Sequence, residues 1–71
     1  MSKDEIQLEY CKRQFEWFKA MFYLSLARMQ SAQSDMYKKE MEHAANSYQN
    51  YMNESNNTIY TLLEKMNPFR K

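Results

Sequence analysis

The sequence predicts an all-α fold: an antiparallel helical hairpin of two long helices, expected to dimerise into a four-helix bundle. Three observations lead there. The 71 residues contain no glycine and one proline, Pro68, so the usual punctuation of strands and tight turns is missing. Valine is absent and isoleucine occurs twice, while the good helix formers Ala, Leu, Met, Glu, Lys and Gln are frequent. Apolar residues also recur at alternating three- and four-residue spacings in both halves of the chain, the mark of amphipathic helices. A chain this short forms a single domain, residues 1–71.

The first helix is expected over about residues 3–32. At about 100° per residue, Leu8, Cys11, Phe15, Phe18, Phe22, Leu26 and Met29 fall on one stripe. The second is expected over about residues 34–67. Its stripe is Met41, Ala45, Tyr48, Met52, Ile59, Leu62, Leu63 and Met66, flanked by Tyr37, Ala44 and Tyr51. Lys39, Glu42, His43, Asn46, Asn50, Glu54, Asn57 and Glu64 occupy the opposite face. Carrying the first stripe into the second half produces a phase jump of roughly 100°. The two helices are therefore separate, with a turn at about residues 30–35, "QSAQSD". Ser31, Ser34 and Asp35 are N-cap types there.

"NESNNT", residues 53–58, holds residues that prefer caps to helix interiors. The stripe keeps its phase across it, so one helix is expected. Asn67 and Pro68 stop that helix and leave a short tail, residues 68–71. Two helices of about 45 Å each match in length and favour a hairpin. Its open end is expected to gather Ile6, Tyr10, Tyr60 and Phe69.

"FEWFKAMFYLSLARM", residues 15–29, carries nine large apolar side chains in fifteen positions. That is more than one facing helix can cover. Beside the main stripe runs a second one: Ile6, Tyr10, Trp17, Met21 and Leu24. Together they span roughly 200°, against roughly 100° for an ordinary surface helix. The second stripe therefore reads as a self-association or partner interface, in residue types that interface cores favour. Tyr23, Met36, Tyr60 and Phe69 lie off both stripes and are expected to offer an outward patch to a larger protein.

The residue inventory narrows the function. Ten basic and nine acidic residues are spread evenly over both halves, so nucleic acid is not an expected partner. Glu16, Lys19 and Arg28 interrupt the apolar segment, which is too short to span a membrane. Asp4, Glu5 and Glu9 do not fit a signal peptide. Cys11 is the single cysteine, which fits a reducing, cytoplasmic setting and a buried structural thiol. Glu40 and His43 have the Glu-x-x-His spacing of di-metal bundles, but His43 falls on the solvent face and no acid faces it at residues 24–27, so no metal site is expected. Without a second histidine or a Gly-rich loop, no catalytic residue and no cofactor are expected. Asn67-Pro68-Phe69 matches the short tripeptide bound by EH domains, and it reads more simply as a helix stop. Lys12, Glu16 and Lys19 read as charge pairing along a helix rather than a phosphate track.

The expected function is a small non-enzymatic protein–protein interaction module. It is expected to be homodimeric and to act as an inhibitor or adaptor of a larger protein complex. An Asn-, Lys- and Tyr-rich composition goes with AT-rich coding and points to a phage or mobile element. The alternatives are a dimeric four-helix-bundle regulator binding RNA or DNA, as some small hairpin bundles do, and a structural component of a larger assembly.

Overall fold

The computed structural model describes residues 1–66; the tail with Pro68, Phe69 and the terminal basic residues lies outside them. Two helices make up the described chain: α1, Lys3–Gln30, and α2, Asp35–Met66. They pack side by side as an antiparallel hairpin 52 Å long, 23 Å wide and 12 Å thick.

Each helix start has a local cause. Ser2 caps α1 with a reciprocal pair: its hydroxyl accepts from the Glu5 N–H at 3.2 Å, and the Glu5 carboxylate accepts from the Ser2 N–H at 3.3 Å. Two orphan donors are satisfied at once. Asp4 and Glu5 also place negative charge at the positive end of the helix dipole. At the start of α2, the Ser34 hydroxyl accepts from the Tyr37 N–H at 3.2 Å.

The turn is built without glycine. Ser31 leaves the helix at φ −92°, ψ 2°, and its N–H still reaches the Ala27 carbonyl at 3.1 Å. No residue of the described chain has positive φ. Helix α1 ends two residues earlier than the expected boundary near 32: the Ser31 N–H makes the last four-residue bond, to Ala27, and the Ala32 N–H reaches only three residues back, to Met29.

Residues 53–58 stay helical. Thr58 and Thr61 donate their hydroxyls to the carbonyls of Glu54 and Asn57, four residues back, at 3.0 and 2.9 Å. These bonds satisfy side chains that would otherwise compete with the backbone.

The seam between the helices is thin. Leu8, Cys11 and Leu62 form the core near the open end, with Ile59 and Leu63 half-buried around them. Ala45, Ser25 and Ser55 are the other buried residues, and no described side chain is fully enclosed. The Ser25 hydroxyl donates to the Met21 carbonyl at 2.9 Å, so burying it leaves nothing unpaired. Asp4 and Lys65 close the open end with an ion pair of 3.4 Å. The radius of gyration is 16.0 Å, against about 11 Å for a compact domain of this length. One layer of two helices has flanks but almost no inside.

Candidate functional site

The hairpin has two broad sides, and they differ in chemistry. Facing the two stripes toward each other, at about 100° per residue, assigns each flank to a side. One side takes Ile6, Tyr10, Trp17, Met21 and Leu24 from α1. From α2 the same side takes Tyr37, Ala44, Tyr48, Tyr51 and Thr58. The other side carries Lys12, Lys19, Tyr23, Gln49, Asn56 and Tyr60, a mixed and mostly polar set.

Aromatic contacts bind the first side into one surface. Trp17 meets Tyr48 edge-on across the seam, with ring centroids 6.2 Å apart and planes at 82°. Phe18 stacks on Tyr51 at 5.1 Å and 28°, and meets Trp17 at 5.3 Å. Such arrangements suit the ring quadrupoles. Trp17 is thus shared: it braces its own hairpin through Tyr48 and still leaves 57% of its surface in solvent. Ile6, Tyr10 and Leu24 are exposed as well, while Met21 is half-buried. The Tyr10 hydroxyl accepts from Gln14 at 2.9 Å, which holds its ring along the helix.

Two depressions mark this side. A cleft of about 250 Å³ opens between the helices, walled by Cys11, Phe18, Tyr51 and Glu54. A shallower apolar groove of about 440 Å³ runs along α1 between Tyr10, Arg13 and Trp17. Gln14 and Phe18 border both.

The outward patch does not gather. Tyr23, Met36 and Tyr60 are all exposed, but Met36 and Tyr60 stand about 36 Å apart along α2. Tyr60 falls on the side away from Ile6 and Tyr10, so the expected cluster at the open end is split between the two sides. Phe69 lies outside the described residues. The α2 pattern alone places Tyr48 on the stripe and Tyr37 and Tyr51 on its flank, and does not show that they extend the α1 face. A helical wheel of one helix alone does not carry that relation.

Among the described residues no three His, Cys, Asp or Glu side chains converge as metal ligands. His43 is exposed, and Cys11 is a buried free thiol. Lys12 pairs back to Glu9 at 3.7 Å rather than with Glu16. No described helix is long and apolar enough to cross a membrane.

Fold and face together define a class: a small all-α hairpin with one aromatic, methionine-bearing side. No family model, curated protein or solved structure matches the chain.

Proposed function

We propose that this protein is a small non-enzymatic binding module that associates with itself through its aromatic side, and acts in the cytoplasm as an inhibitor or adaptor of a larger protein complex. One observation carries the reading: exposed Ile6, Tyr10, Trp17 and Leu24 run along one side of a hairpin whose own seam encloses no side chain fully. The chain exposes 5886 Å², against about 4,700 Å² for a compact protein of 8.7 kDa. The excess exceeds the roughly 800 Å² that one partner contributes to a standard interface. Aromatic and methionine side chains give large contact area with adaptable packing.

The test has two parts. Sedimentation equilibrium over a wide concentration range measures self-association, and a tagged pull-down with and without nuclease measures capture. A dimer, together with one protein whose recovery survives nuclease, supports the reading. A monomer at every concentration overturns the self-association. Recovery that vanishes with nuclease moves the function to nucleic acid.

A further inference from the structure

We infer that the occupant of the aromatic side is a second copy of this chain, laid face to face with both turns at the same end, so that α1 of each copy rests on α2 of the other. The inference rests on the self-association reading and adds its direction. It comes from the charges that border the face.

The α1 border carries Lys3, Arg13 and Arg28 and no acid. The α2 border carries Glu40 and Glu54, together with Lys65, which is already held by Asp4 of its own chain. Arg13 walls the groove beside Trp17, and Glu54 walls the cleft beside Tyr51, so both belong to this side. Arg13, Arg28, Glu40 and Glu54 are exposed and make no ion pair with any described residue.

Axial levels decide the direction. Phe18 sits level with Tyr51, and Asp4 with Lys65, so residues whose numbers add to about 69 share a level. Arg28 is then within two residues of the level of Glu40, and Arg13 within about two of Glu54. A rise of about 1.5 Å per residue makes those offsets about 3 Å or less. A two-fold axis along the hairpin preserves levels and exchanges the helices. It sets Arg28 over the partner's Glu40 and Arg13 over the partner's Glu54, each twice; Lys3 comes level with the partner's Lys65, whose charge is already paired with Asp4 of its own chain. It also sets Leu24 opposite the small Ala44 and Trp17 opposite Tyr51, large against small and ring against ring.

Turning the copy end for end instead lays α1 on α1. That brings a border holding only basic charge against itself, and like charges across an interface oppose association. The face measures about 52 by 23 Å, enough for the roughly 800 Å² per partner of a stable dimer.

Directed cross-linking tests the direction. Gln33, exposed in the turn, becomes the single cysteine in the variant Cys11→Ala/Gln33→Cys. A second variant, Cys11→Ala/Lys3→Cys, marks the open end. Both are treated with a short bis-maleimide at a concentration where sedimentation shows dimer. Each variant is expected to link to itself, and a mixture is expected to give no product joining position 3 to position 33. A mixed product with neither self-product overturns the direction and leaves the dimer standing. A monomeric mass at all concentrations overturns the dimer as well.

Charge reversal supplies a check that needs no cysteine. Arg28→Glu and Glu40→Arg should each weaken self-association about tenfold, since each alters two pairs per dimer. The double variant should recover most of that loss. Failure of the double variant to recover any of it overturns the pairing.

Discussion

Replacing Trp17 by alanine separates what this side chain does inside the hairpin from what it does for a partner. Inside, the substitution removes the edge contact to Tyr48 and part of the contact to Phe18. An aromatic pair of this kind contributes about 0.5–1.5 kcal/mol, so the isolated hairpin should lose about 1 kcal/mol. Outside, 57% of the indole remains in water. For a side chain of up to about 250 Å², that leaves roughly 140 Å² for a partner to cover. At about 25 cal/mol per Å² the cover is worth at most about 3.5 kcal/mol per tryptophan. Ordering costs take a share of that, and central interface tryptophans typically cost about 2 kcal/mol or more on truncation. Trp17→Ala should therefore raise the dimer dissociation constant by at least about thirtyfold. Helix content measured well above that constant should change little. Sedimentation equilibrium gives the first quantity, and circular dichroism across a concentration series gives the second. Equal loss of helix at every concentration, with an unchanged dissociation constant, would refute the two-role account of this residue.

Two further substitutions probe the hairpin itself. Phe18→Ala removes the ring that touches Trp17, Tyr48 and Tyr51 together. Full burial would make that loss about 3–5 kcal/mol; Phe18 is half-buried, so about 2–3 kcal/mol is expected, read as a lower urea midpoint at high protein concentration. Ser2→Ala removes the hydroxyl that accepts from the Glu5 N–H, leaves the backbone N–H arm to the Glu5 carboxylate, and should cost about 1 kcal/mol. Its signature is faster amide hydrogen exchange confined to the first turn of α1, and protection there equal to that of the parent would mean the cap contributes nothing.

The hairpin was legible in the sequence because its signals are local. The phase jump, the serines at 31 and 34 and the absence of glycine together indicate two helices and a turn. The end of α1 was less legible, because the three-residue bond from Ala32 to Met29 depends on the turn that follows it. Ser25 and Ser55 were invisible as core residues, since a pattern of apolar letters passes over them. Ser25 enters the seam because its hydroxyl bonds to the carbonyl of Met21, and it then packs as a small side chain. The α1 half of the aromatic side was legible as excess apolar arc. The α2 half was not, because Tyr48 reads as core and Tyr51 only as a flank of that core when α2 is projected alone. Only two helices set against each other show that the surplus of one continues into the flank of the other.

A hairpin in which no described side chain is fully enclosed has little stability of its own to draw on. Whatever covers the aromatic side adds stability by mass action, about 2.7 kcal/mol when its free concentration is a hundred times its dissociation constant. Proteases sample open forms, so copies without a cover should turn over fastest. The amount of this protein that persists in a cell would then track how much of its cover is present, and surplus chains would be cleared with no dedicated degradation signal.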